Sequence, residues 1–426
     1  MLVRFKTSNL IVRLLAACCF VLITLSSATS AKAISFIRDT EIENTIRVFS
    51  APIFKAAGLN VGDIQIHIVN DPALNAFVAA GQRLFINTGL LMRAEHAGQV
   101  IGVIAHEAGH ISGGHLIRLH ESLRGSTAKA VLTSLFGGVA ANYTRSMEQS
   151  ADQAAVTFLD EAGYSGKGLA EFLGTLSKAE ALLTGSRDIY LRSHPLTSDR
   201  IKFMNDHVAT STLSDKLLPA DVQQAHDRMR AKLKGFINPP SRTLREYKAD
   251  DLSFSARYAR AIAYKELHEI DTSLALIDGL IAEHPNDPFL YELKGDVLQD
   301  AGRVAESVPP YSKALEFLPW AALIRVNLAQ SQLEAKDPGL GDAALENLLQ
   351  AVGYEPEMPL LWRLLATAYA RVGDQANVML ALAEEALLTG KNSEAQQRAT
   401  RALEMLPVGS AGARRAEDIQ NAVKNE

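Results

Sequence analysis

The chain has 426 residues, 47% hydrophobic and 21% charged, with a formal net charge of −5. That is a globular composition, long enough for two or three domains, and nothing in its acidic balance suggests nucleic-acid binding. Residues 1–33 stand apart: Arg4, Lys6 and Arg13 open them, "LLAACCFVLITL" is a short apolar run, and Ala31 to Ala33 ("AKA") is a small-residue cleavage signal. They read as a secretory signal peptide, with an uncleaved membrane anchor as the alternative. Both cysteines, Cys18 and Cys19, lie inside it, and the resemblance of Leu15–Cys18 to a lipoprotein box fails because Arg13 stands too close. A mature chain from about Ile34 would have no disulfide and no thiol chemistry, and losing Arg4, Lys6, Arg13 and Lys32 would take its charge to −9.

From Ile34 to about Leu59 the apolar residues recur at helical spacing, with Gly58 marking the end. "DIQIHIV" (63–69) alternates as a strand, "NDPALNAFVAAG" (70–81) is loop-like, and "QRLFINT" (82–88) reads as a second strand. A helix from "GLLMRAEHAGQ" (89–99) then leads into "VIAHEAGHIS" (103–112). Four residues of helix turn the chain by about 400°, so His106 and His110 stand about 40° apart on one face. Both imidazoles could reach one metal ion, and Glu107, beside the first, could hold a metal-bound water. The alternative is three polar residues in an ordinary helix, but the small apolar lead-in argues for burial, and burying them without partners would be costly.

A catalytic zinc site needs a third protein ligand. His115 comes too early for the extended two-histidine patterns; on a continuing helix it would face away from His106. "SMEQSADQAA" (146–155) offers a better candidate. Glu148 and Asp152 lie four apart on one helical face among small residues. Glu148 could take the metal, and Asp152 could accept the second N–H of a ligating histidine. A solvated acidic face is the alternative.

"NPPSR" (238–242) is the clearest break in the chain. Beyond it, prolines 285, 319 and 356 recur at spacings of 34 and 37, with "KDPGLGD" accounting for the longer step. Tyr291 and Trp362 stand six after Pro285 and Pro356, Gly302 and Gly373 seventeen after, and Ala305 and Ala376 twenty after. The glycines fit turns between paired helices and the alanines fit places where helices approach. The period resembles that of tetratricopeptide repeats, whose curved arrays hold peptides or proteins on a concave face.

"HEAGH" followed by "EQSAD" resembles the gluzincin peptidases related to the CAAX prenyl endopeptidase and the heat-shock protease HtpX. "NAFVAAGQRLFINTGLL" (75–91) is similar to the family's stretch beside the substrate cleft, and "SHPLTSDR" (193–200) to its later His-Pro…Arg segment. The resemblance covers roughly residues 40–205. It implies that the ExxxD glutamate, here Glu148, is the third zinc ligand. With the signal and the repeats, the chain is most similar to a periplasmic subgroup that serves outer-membrane β-barrel assembly.

The resulting expectation is a mainly α protein: a zincin-like α+β metalloprotease domain with a small sheet over 34–238, then an α-solenoid of tetratricopeptide repeats over 248–426. One Zn²⁺ per chain would be held by His106, His110 and Glu148, with Glu107 as general base, and "QRLFINT" as an edge strand pairing with substrate. Expected substrates are misfolded or stalled outer-membrane proteins in the periplasm, with the repeats engaging the β-barrel assembly machinery. The alternative is a non-proteolytic periplasmic chaperone or adaptor acting through the repeats. His194, fixed by Pro195, would either fill the fourth zinc position and keep the protease latent or stabilise the tetrahedral oxyanion. "SLFGGVAANY" (134–143) would be a buried hairpin or a flap making peripheral membrane contact.

Overall fold

The computed structural model describes residues 35–79, 82–118, 143–182, 193–335 and 337–425. The proposed signal peptide and most of the 134–143 stretch lie outside these residues. The first described elements are β1 (Phe36–Ile37), α1 (Thr40–Ala56), β2 (Gln65–Val69), β3 (Ala76–Ala79) and β4 (Arg83–Asn87). The helix expected from Ile34 thus begins only at Thr40. Asp39 ends the preceding strand by accepting a hydrogen bond from the Ile42 N–H at 2.9 Å, which caps α1.

The sheet runs β1-β2-β4-β3, with β2 and β4 parallel and both outer pairs antiparallel. Two expectations are corrected here. "AFVA" is a strand rather than a loop, because it pairs antiparallel with β4, Ala76 with Ile86 through Ala79 with Arg83. "QRLFINT" supplies β4, which lies inside the sheet, so the edge nearest the histidine helix is β3.

Helices α2 (Thr88–Arg93) and α3 (Ala97–Ser112) are separate, broken at residues 94–96. Helix α3 is the centre of the N-terminal core, with α1, α4 (Arg145–Glu161), α5 (Lys167–Leu182) and β3 packed round it. Ile46, Phe49 and Ile53 of α1 meet Leu84 and Ile86 of the sheet and Val100, Ile101 and Ile104 of α3. The glycines of α3 decide how close its neighbours come. A Cβ on Gly102 would lie 2.8 Å from Leu169 of α5, and one on Gly109 would lie 2.7 Å from the Ala151 carbonyl of α4. The second contact sets the two halves of the site side by side. Helix α6 (Ser198–Thr210) closes this part.

Helix α7 (Ala220–Ile237) serves two cores. Met229 and Leu233 belong to the N-terminal one, whereas Ala231 packs with Tyr258 and Ile262 of the next. After α8 (Pro240–Glu246), which starts inside the "NPPSR" break, the helices pair as hairpins. They are α9 (Phe254–Glu266) with α10 (Ile270–Glu283), α11 (Pro288–Asp300) with α12 (Val304–Phe317), and α13 (Ala322–Glu334) with α14 (Gly341–Val352). Then come α15 (Pro359–Arg371) with α16 (Gln375–Leu388), and α17 (Asn392–Met405) with α18 (Ala411–Asn425). The fold is therefore mainly α: a small mixed sheet with helices, then an α-solenoid of tetratricopeptide type.

The repeat phase is visible in single bonds. The carbonyls of Pro285, Pro319 and Pro356 each accept from the side chain six residues on, Tyr291 at 2.9 Å, Arg325 at 2.6 Å and Trp362 at 2.8 Å. Gly302 and Gly373 take positive φ of 72° and 79° in the turns between α11 and α12 and between α15 and α16, where a Cβ would be strained. The alanine expectation fails: Ala305 is exposed and Ala376 only half-buried. Close approach runs instead through Gly295, where a Cβ would lie 2.6 Å from the Tyr311 ring.

A buried charge cluster fastens the repeats to α1. Lys232 of α7 lies 2.7 Å from Asp39 and 3.1 Å from Glu41, Tyr258 of α9 donates to Glu41 at 2.7 Å, and Arg228 pairs with Glu41 and Asp287. The array also curves back until Glu355, between α14 and α15, meets Arg38 at 2.6 Å. Ending the chain after Ile237 would bare the Ala231 face of α7 and open this cluster to water. Residues 35–237 alone are expected to melt well below the full chain in scanning calorimetry. Equal melting temperatures would show that the repeats contribute nothing to the stability of the N-terminal core.

Candidate metal centre

Caps and turns deliver four side chains to one point. Thr144 caps α4 by accepting from the Met147 N–H at 3.3 Å, which puts Glu148 in the first turn, facing α3 across Gly109 and Ala151. Thr197 likewise caps α6, so that Arg200 lies in its first turn just after His194 and Pro195. His106, His110, Glu148 and His194 each present a ligand atom, and these atoms all lie within 4.8 Å of one another, every residue buried.

The closest approaches show how they converge. The Nε2 atoms of His106 and His110 are 3.1 Å apart. Glu148 Oε1 lies 3.2 Å from His110 Nε2 and 3.0 Å from His194 Nδ1, and His194 Nδ1 lies 3.4 Å from His106 Nε2. On its far side, His106 turns Nδ1 to Asp152 Oδ1 at 2.9 Å. With a metal bound, Nδ1 would keep its proton on the side of this carboxylate and Nε2 would face inward as a lone pair. Once His106 gives up its second proton, the centre offers acceptors from two imidazoles and a carboxylate, which suits a cation and matches the ligand types of zinc.

Titration behaviour obeys the same geometry. Burial pulls His110 well below the usual histidine value, keeping it neutral. Burial also acts to lower His106, but the carboxylates of Asp152 and Glu148 overcome it and raise this histidine to about 9, so a metal ion would have to displace a proton there. Glu148 is held well below the ordinary carboxylate range: burial opposes this, and the three histidines around it prevail. Burial raises Glu107, whose two carboxylate oxygens accept no hydrogen bond among the described residues; His194 Nε2 lies 3.5 Å from one of them.

Residues 38–208 match the profile of Peptidase family M48. This segment is an M48 peptidase domain. The chain is therefore a metalloprotease. Curated relatives extend the likeness beyond the domain. The "Beta-barrel assembly-enhancing protease" of Yersinia pestis is 22% identical over 361 residues, 77% of this chain and 72% of that protein. The "Putative beta-barrel assembly-enhancing protease" of Vibrio cholerae is 26% identical over 373 residues, 80% and 76% of the two chains. The Escherichia coli K12 protein named "Beta-barrel assembly-enhancing protease" is 23% identical over 376 residues, 80% and 75%.

Within the M48 domain, the structure brings every residue singled out from the sequence to this one place: His106, Glu107, His110, Glu148, Asp152 and His194. Three more residues belong there. Arg200, 1% exposed, reaches Asp152 through Nε at 2.6 Å and Nη2 at 2.9 Å, and Glu148 through Nη1 at 2.6 Å. Tyr143 stacks on His110 with ring centroids 3.7 Å apart. His115 folds back until its Nδ1 is 2.9 Å from His110 Nδ1. Arg200 could have been suspected from its place after the capping Thr197. Nothing in the sequence places Tyr143, because its contact depends on how the chain returns to α4.

Proposed function

We propose that the chain is a zinc-dependent endopeptidase of the periplasm that hydrolyses misfolded or stalled outer-membrane proteins. The observation carrying this reading is the buried convergence of His106 Nε2, His110 Nε2 and Glu148, with the Glu107 carboxylate beside them. Those three residues would hold one Zn²⁺ per chain, oriented by Asp152 behind His106. Zinc bound there would supply a Lewis acid that acidifies water and polarises the scissile carbonyl. Glu107 takes the proton of the attacking water and hands it to the departing amine. Its pKa, raised by burial, brings it nearer to both tasks at neutral pH.

Strand β3, at the end of the sheet and packed near α3, would pair with an extended substrate through the backbone edge that faces no other strand among the described residues. Main-chain pairing gives affinity with little sequence preference, which suits a quality-control enzyme. The relatives' names support outer-membrane barrels as substrates, and the repeats, taken as residues 248–426 after a protease domain at 34–238, would dock on the assembly machinery. Replacing Glu107 with Gln tests the chemistry. Proteolysis of an unfolded casein-type substrate should fall by about 10²–10⁴-fold with zinc retained. If Glu107→Gln keeps full proteolysis, this mechanism is wrong. If wild type shows no proteolysis and the variant keeps the whole cellular effect, the chaperone or adaptor reading takes its place.

His194 is proposed as the latch. Its Nδ1 stands among the same acceptors, 3.0 Å from Glu148 and 3.4 Å from His106 Nε2, where it would fill the fourth position and exclude the nucleophilic water. His194→Ala is then expected to cleave casein faster than wild type with unchanged zinc content. A slower enzyme with zinc intact would instead assign His194 to oxyanion stabilisation.

A further inference from the structure

We infer that His115 is the positioning residue for His110, holding the imidazole in the tautomer that points Nε2 at the metal site; this rests on the metal-site reading above. The two proposed histidine ligands have different supports. Behind His106 stands a carboxylate, Asp152, at 2.9 Å. Behind His110 stands another imidazole: His115 Nδ1 lies 2.9 Å from His110 Nδ1, with ring centroids 5.0 Å apart and planes at 76°.

A pair of ring nitrogens at hydrogen-bond distance needs one donor and one acceptor. His110 Nε2 lies 3.1 Å from His106 Nε2 and 3.2 Å from Glu148 Oε1, inside the cluster of ligand atoms. If Nε2 is to ligate, the proton must sit on Nδ1, and Nδ1–H then donates to the lone pair on His115 Nδ1. His115 is neutral in this arrangement and carries its own proton on Nε2. Tyr143, stacked on the His110 ring, limits rotation about the same axis.

The backbone is shaped for this contact. Helix α3 ends at Ser112, so His115 does not continue its spiral. Gly114 takes a φ of +61°, which turns the chain, and a Cβ on Gly113 would lie 2.6 Å from His115 Nε2. The two glycines make room for the ring to fold back over the end of its own helix. His115 ends with 1% exposure, a histidine buried for a contact with another histidine.

Two variants test the inference. His115→Ala removes the acceptor; His115→Asn keeps one, because its side-chain oxygen falls near the position of Nδ1. Zinc affinity would be read by chelator competition, the His110 tautomer by ¹⁵N-resolved NMR of the zinc-loaded protein, and stability by melting of the metal-free protein. His115→Ala should weaken zinc binding by about 10–100-fold, the usual loss on removing a ligand's outer partner, and should disturb the His110 Nδ1–H signal. His115→Asn should restore most of both. The inference is overturned if His115→Ala binds zinc like wild type. It is equally overturned if Asn rescues nothing and both variants merely melt earlier, which would make His115 a packing residue. Wild-type protein that takes up no zinc would instead sink the metal-site reading, and this inference with it.

Discussion

Glu148→Ala should release zinc to a chelator that wild type withstands, and all proteolysis should go with it. Two physical effects act together. The substitution removes the only carboxylate among the four buried groups that approach within 4.8 Å of one another, and hence the negative charge that offsets a divalent ion there. It also takes the 2.6 Å carboxylate partner from Arg200 Nη1, so that the buried guanidinium keeps Asp152 and the Pro195 carbonyl but loses one of its compensating charges. The loss of affinity should exceed about 100-fold, the upper end of the loss on removing only an outer partner of a ligand. His194 complicates the outcome in a useful way, since three imidazoles are also a known zinc set. Residual binding in Glu148→Ala should therefore vanish in Glu148→Ala/His194→Ala. Stoichiometric zinc in the single variant that persists in the double would refute Glu148 as a ligand.

The sequence made the site legible where chemistry is local. His106 and His110 fall on one helical face by spacing alone, with Glu107 beside the first, and Glu148 and Asp152 repeat that spacing on α4. What spacing could not convey is that Gly109 lets α4 approach until the two faces share a centre. His115 escapes its sequence reading for the same kind of reason. Its angle there holds only on a helix that continues, whereas α3 stops at Ser112 and Gly114 reverses the chain. In the sheet, "AFVA" lacks the polar alternation of a strand because Ala76, Val78 and Ala79 are all buried, so its pairing with β4 is hidden. In the repeats, proline period and turn glycines are readable. The helix contact at Gly295 is not, since it depends on the bulk of Tyr311 on the facing helix.

Arg200→Met is expected to cost the metal-free protein about 3–5 kcal/mol, the scale for removing one partner from a buried ion pair. Arg200 binds Asp152 with two nitrogens, Glu148 with a third contact at 2.6 Å, and the Pro195 carbonyl at 3.1 Å. Methionine fills similar volume but takes the guanidinium away from two buried carboxylates, leaving them only the histidines of the site as partners. Burying their charge without the guanidinium is what makes the change costly; the lost attraction alone would not. Denaturant unfolding of chelator-treated protein measures the effect without interference from zinc. Arg200→Lys should recover only part of it, because an ammonium cannot make the paired bonds to Asp152. The double variant Arg200→Met/Asp152→Leu should be more stable than Arg200→Met, since one stranded carboxylate has gone. The same guanidinium also ties down the carbonyl next to His194, so Arg200→Met should loosen the proposed latch as well as the fold. If Arg200→Met unfolds within about 1 kcal/mol of wild type, Asp152 and Glu148 are not carrying buried charges together, and the account of how α4 and α6 hold the site fails with them.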